Sequence, residues 1–185
     1  LSPDLLTLDR QRVGRIRVKQ ADGEEFAVEP VDDGEGFRLG DLQEGETLRS
    51  DYVLEDLVDR VTDLKLEDVR PVNEIAWPAT PALRLEITQA DGLTIRVSGA
   101  RIDDTHWLRL DAFRGQPADP SESSIGGAAT VAQEAARLNR AWQGRAYAVA
   151  DWVYDILAKR RTDLLTDKAE AVEDAEEAAP TAPSG

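Results

Sequence analysis

His106 is the only histidine in this chain of 185 residues, and with no cysteine present it is the one side chain whose ordinary titration range lies near neutrality. Such a group can serve as general base, general acid or metal ligand. A metal site needs further ligands converging on it. The sequence offers no His-x-x-x-His pair and no thiolate, so no metal site is expected. A Ser-His-Asp arrangement would draw its nucleophile from Ser121, Ser123 or Ser124. These fall in a Pro- and Gly-rich loop without a Gly-x-Ser-x-Gly elbow. A hydrolase using His106 with a neighbouring carboxylate is therefore the alternative reading, and no catalytic residue is assigned. Acid pairs recur at Glu24-Glu25, Asp32-Asp33, Glu67-Asp68 and Asp103-Asp104, as expected of a chain with 37 acids, and they read as solvated faces. Gly34-x-Gly36 with Gly40 lacks the spacing of a phosphate-binding loop, and the acidic stretch around it lacks the oxygen-ligand order of a calcium loop. No cofactor is expected. Trp77, Trp107, Trp142 and Trp152 complete the candidates. The last three lie on apolar strand or helix positions, whereas Trp77-Pro78 sits between two patterned regions. A glycan-binding surface using exposed tryptophan is a further alternative, and Trp77, Trp107 and His106 are the candidate interaction residues.

The formal net charge is −15, of which the segment 167–185 holds −5 and residues 1–166 hold −10. A field of that sign repels phosphate backbones and anionic headgroups, so no nucleic-acid partner and no polybasic membrane attachment are expected. The sequence has no methionine, even at position 1. The expectation is a processed or excised chain whose lost segment held a leader or an anchor. No apolar run reaches the roughly 18 residues of a membrane-spanning helix.

The elements that must carry these residues are written twice. Arg15 to Gly23 and Arg84 to Gly92, sixty-nine positions apart, share Gln-Ala-Asp-Gly and match in type at Ile16/Leu85 and Val18/Ile87. Apolar residues alternate with charged ones from Val13 to Gln20, predicting a half-solvated strand. Asp22-Gly23 and Asp91-Gly92 predict tight two-residue turns of the primed kind. Phe37 to Leu39 and Thr105 to Leu110 supply a third strand to each copy. Helices follow, one carrying Leu54, Leu57, Val58, Val61 and Leu64 with Ser50 or Asp51 as cap, the other running from Thr130 to Trp142 behind a Thr130/Gln133 capping box. Leu66 to Arg70 and Ala146 to Val149 read as strands closing the two units. A final helix from Asp151 turns Trp152, Ile156 and Leu157 inward and places Lys159, Arg160 and Arg161 at its negative end. The prediction is an α+β fold of two tandem β-β-β-α repeat units with antiparallel sheets, each covered by a helix. Residues 4–72 form the first unit, 81–166 the second with the C-terminal helix, and 167–185 a disordered acidic tail. The loop 114–127 reads as mobile.

In order along the chain, Leu8, Val13 and Ile16, then Leu64-Lys65-Leu66-Glu67-Asp68-Val69-Arg70-Pro71, Ala135-Ala136-Arg137-Leu138-Asn139, and Tyr147, Trp152 and Arg160 to Leu165 make a degenerate but ordered series. On these motifs the chain resembles the bacterial family known as domain of unknown function 4340, over residues 4–166. The resemblance implies the extracytoplasmic part of a membrane-anchored protein that works beside subunits of an ABC transporter of the gliding-motility type, on the periplasmic face of the inner membrane. Membrane-protein partners follow from it, with membrane contact only through an N-terminal anchor absent from this chain. It implies a non-enzymatic accessory or scaffold role and no catalytic residue.

Overall fold

The computed structural model describes residues 2–32, 36–118 and 125–166. Among the described residues, ten strands and four α-helices run in the order β1 (Asp4–Thr7), β2 (Val13–Gln20), β3 (Glu25–Pro30), β4 (Phe37–Leu39), α1 (Val53–Thr62), β5 (Asp63–Lys65), β6 (Asp68–Pro71), β7 (Leu83–Gln89), β8 (Leu93–Ile102), β9 (Thr105–Arg114), α2 (Ile125–Trp142), β10 (Arg145–Val149), α3 (Asp151–Leu157) and α4 (Arg161–Leu164). The fold is α+β with two antiparallel sheets. One is the small β1–β5 pair, and the other has eight strands in the order β4-β3-β2-β7-β8-β9-β10-β6.

The larger sheet departs from the expectation of one sheet per copy. Its two meanders, β2-β3-β4 and β7-β8-β9, join through their first strands. Arg17 lies opposite Glu86, the position sixty-nine residues on, with Ile16 opposite Ile87 and Val18 opposite Leu85. The pairing is thus symmetric about Arg17 and Glu86. The closing strands also meet each other, since β6 leaves the first half of the chain to form the far edge beside β10, with Tyr147 opposite Val69. An edge strand exposes unpaired amides and carbonyls, and this exchange covers one that β10 would otherwise present.

One face of the sheet is apolar because strand side chains alternate. Ile16, Val18, Leu85, Ile87, Ile95, Val97 and Leu108 join Leu54, Leu57, Val131, Ala135, Val153 and Leu157 of the helices in a single buried cluster. The core positions read from periodicity are buried here, with Leu138 and Ile156 half-buried against them. Trp152 is a correction. It is 56% exposed, and Val153, Tyr154 and Leu157 take the inward stripe of α3. A seven-residue helix with apolar residues at adjacent positions does not fix its own buried face; packing does.

The copied turns correspond closely but differ from the expected type. Gly23 and Gly92 have φ of 96° and 92° while Asp22 and Asp91 keep negative φ, and each glycine amide bonds back to Gln20 or Gln89 at 3.0 Å. These are three-residue Ala-Asp-Gly loops closed by a left-handed glycine. Asp22 and Asp91 each accept the amide two residues on, at 3.0 and 3.1 Å. The primed two-residue turn occurs instead between β8 and β9, where Asp103 and Asp104 hold φ of 51° and 63°. Helix α2 begins at Ile125, so Thr130 lies inside it and is not its cap. Ser50 accepts the amide of Tyr52 at 3.1 Å, just ahead of α1. Arg160 and Arg161 follow the end of α3 and serve as tethers: Arg160 bonds Asp22 at 2.7 Å and Glu24 at 2.5 Å, and Arg161 bonds Glu46 at 2.5 Å. The tail 167–185 and the centre of the loop 114–127 lie outside the described residues.

Candidate functional site

The side chains that alternate away from the core leave the other face of the large sheet largely uncovered, and charge on it is arranged in rows across the strands. One row reads Arg17, Glu86, Arg96, Asp111. Arg96 is compensated within it, bonding Glu86 at 3.2 Å and approaching Asp111 at 3.6 Å. A pleat away, the next row reads Lys19, Arg84, Ser98, Arg109 on β2, β7, β8 and β9. Among the described residues, Lys19, Arg84 and Arg109 have no carboxylate within ion-pairing distance, and neither has Arg17 beside them. Arg109 instead lies over the Trp77 ring, 5.5 Å from its centroid.

Trp77 reaches this face because the segment after β6 folds back over it. Ile75, Trp77 and Ile102 pack on Trp107, Ala146 and Ala148, which form a second, smaller core on this side. Trp107 is only 5% exposed and Trp77 is half-buried. The two rings share a cluster, yet they offer no pair of open faces for a sugar. Trp152, the exposed tryptophan, lies under the Arg60 guanidinium at 4.5 Å.

His106 points to the opposite, helical face. Its Nδ1 is 2.8 Å from Asp151 Oδ1 at the start of α3, and its ring stacks on Tyr154 at 4.1 Å between centroids. Gly99 makes this possible, since a Cβ there would meet the Tyr154 ring at 2.8 Å. Burial raises the Tyr154 phenol above its usual range. The carboxylate that a hydrolytic dyad requires is therefore present. No hydroxyl bonds the imidazole among the described residues, and His106 lines neither of the two large clefts. Those clefts lie elsewhere. A groove of about 610 Å³ on the uncovered sheet face is lined by Arg15, Arg17, Arg38, Glu29, Glu86 and Phe113. A cleft of about 1010 Å³ between β1 and α2 is lined by Leu5, Leu8, Leu138 and Trp142, with Glu134 and Arg137 among its polar residues.

Among the described residues no cluster of three or more His, Asp or Glu is placed to hold a metal ion, and no helix is long and apolar enough to cross a membrane. No protein-family model, curated protein or solved structure matches the chain. Sequence reasoning singles out Trp77, Trp107 and His106 and passes over Lys19, Arg84 and Arg109. Each reads as an ordinary exposed strand residue, and it takes the long-range pairing of β2 with β7, added to the registers of two hairpins, to bring them into line.

Proposed function

We propose that this chain is a non-enzymatic interaction module that presents the uncovered face of its eight-stranded sheet to a protein partner. The observation that carries this reading is the row Lys19, Arg84, Arg109, left without carboxylates on the surface of a protein whose net charge is −15. Acids outnumber bases by 37 to 22, so cations left unpaired stand out as a surface suited to another molecule. The His106–Asp151 contact favours the hydrolase alternative by one feature, the carboxylate, without a nucleophile or cleft beside it. The symmetric pairing about Arg17 and Glu86, with its matched Ala-Asp-Gly loops, supports reading the two meanders as one unit used twice.

The setting we propose is the periplasmic face of a bacterial inner membrane, next to an ABC transporter, in a longer protein held there by an anchor. That placement rests on the ordered motifs shared with domain of unknown function 4340. A tether suits a weak module, because confinement raises its effective concentration toward membrane neighbours. The test is site-specific photocrosslinking in cells, with the probe at Ser98 on the uncovered face or at Ala132 on the exposed side of α2. A transporter permease should be captured from Ser98 and not from Ala132. Equal capture from both positions, or only soluble cytoplasmic proteins from Ser98, would overturn the reading.

A further inference from the structure

Resting on that reading of the sheet face, we infer that the row Lys19, Arg84, Arg109 binds an extended acidic peptide segment of the partner, with carboxylates at alternate positions. Lys19 lies directly opposite Arg84. Like charges in that relation destabilise a sheet, and the repulsion is relieved when anions come between them. The adjacent row shows that this surface can neutralise its own cations, since Arg96 shares Glu86 and Asp111 there. Lys19, Arg84 and Arg109, with Arg17 beside them, are thus, among the described residues, cations without an ion pair on the surface of an acidic protein.

Geometry selects the shape of the ligand. Lys19 and Arg109 are separated by three inter-strand steps, about 14 Å at the usual spacing. A strand-like peptide places every second side chain on one face at intervals of about 7 Å, so three alternate carboxylates cover the same span. The row runs across the strands, which leaves the peptide backbone free of the sheet's own hydrogen bonding. Recognition is then by side-chain charge, the mode in which Arg clusters read acidic motifs. Beyond Arg109 the half-buried Trp77 ring closes the row with an apolar contact. Glu25 lies opposite Lys19 and ends the row on the β3 side, and Glu86 and Asp111 stand in the neighbouring row along one flank. A short, narrow acidic strand lies along the cations and stops at Glu25, whereas the wide phosphate surface of a nucleic acid meets all three acids.

The measurement is fluorescence anisotropy of a labelled Glu-Ser-Glu-Ser-Glu peptide against the whole chain, with oligothymidylate of about twelve nucleotides as the competing polyanion. Each exposed charge contact contributes a factor of about two to five, so K19Q/R84Q/R109Q should weaken peptide binding about tenfold or more, and R84Q alone about two- to fivefold. R101Q, whose side chain bonds Asp104 at the β8–β9 turn, should leave binding unchanged. Raising NaCl from about 50 to about 200 mM should weaken the peptide complex, as screening requires. The melting temperature of the triple variant should be equal to or above that of the parent, which separates lost binding from lost folding. No peptide binding, equal binding by parent and triple variant, or oligothymidylate binding as tight as the peptide and lost in the same variant would overturn the inference. Crosslinking at Ser98 without peptide affinity would reject the acidic ligand while leaving the face as an interface; loss of both would reject the face itself.

Discussion

Replacing Asn139 by alanine should destabilise the protein out of proportion to the exposure of the helix that carries it. Asn139 on α2 reaches the backbone of Ala112 on β9, accepting its amide through Oδ1 at 2.7 Å and donating from Nδ2 to its carbonyl at 2.7 Å. Strand β10 pairs with β9 only from His106 to Leu108, so at Ala112 the side-chain amide takes the place of a neighbouring strand. Two hydrogen bonds of about 0.5–1.5 kcal/mol each are lost in N139A, and the partly buried strand groups are left without partners. The better helix propensity of alanine returns up to about 0.7 kcal/mol. The net is about 1–3 kcal/mol, or about 3–9 °C in melting temperature for a chain of this size. N139D sharpens the test. Its ionised carboxyl keeps the acceptor but sets negative oxygen against the Ala112 carbonyl, so the folded state raises the pKa of the introduced group. Relative to the parent, N139D should then be most stable below the unfolded value of about 3.9 and lose ground as pH rises through the folded one. Urea unfolding followed by tryptophan fluorescence measures the free energies, and hydrogen exchange at the Ala112 amide reports the bond itself. A change below about 0.5 kcal/mol in N139A, or unaltered protection at Ala112, would refute the strand-surrogate argument.

Two more outcomes are expected. At the β8–β9 turn, D103N/D104G places the favoured Asn-Gly pair where both residues hold positive φ, and it should stabilise by about 1 kcal/mol even though the exposed Arg101–Asp104 pair is lost; a lower melting temperature by calorimetry would contradict it. The Arg160 guanidinium, together with the Glu24 amide, holds the Asp22 carboxyl below its ordinary range. A lowered folded pKa contributes stability above the unfolded value of about 3.8 that is lost as pH falls through the folded one. R160Q should therefore lie below the parent in stability at pH 6, with the gap closing in acid; a gap that widens in acid would be the contrary result.

Much of the architecture was legible because it is local. Alternation at Ile16 and Val18 and at Leu85 and Ile87 names strands and their buried face, and the spacing of Leu54, Leu57, Val58 and Val61 names a helix. What escaped is set by contacts distant in sequence. Nothing in Arg17 announces that Glu86 will stand opposite it, and nothing in Leu66 to Arg70 tells that this segment crosses to the edge of β10. Asn139 reads as one more polar residue on a helix, since the partner it needs is backbone. Asp151 is forty-five residues from His106, so the contact between them has no linear signature. Trp152 misled because aromatic bulk suggests burial, while α3 buries its neighbours Val153 and Tyr154.

The register around Arg17 and Glu86 also bears on how such a sheet could arise. If two identical subunits paired through this strand, the residue on the dyad would face its own copy about 5 Å away, and any charge there would meet the same charge. Only an uncharged side chain could occupy that point without penalty. Once both copies lie in one polypeptide, the constraint is lifted and the two positions vary independently. Here the two positions carry opposite signs, and Glu86 engages Arg96 on the next strand. The same freedom places Lys19 opposite Arg84 while the related pair is Arg15 and Thr88, so one flank of the axis became cationic and the other did not. A sheet whose two halves lie in one polypeptide is not obliged to be symmetric, and a surface without that obligation can have direction.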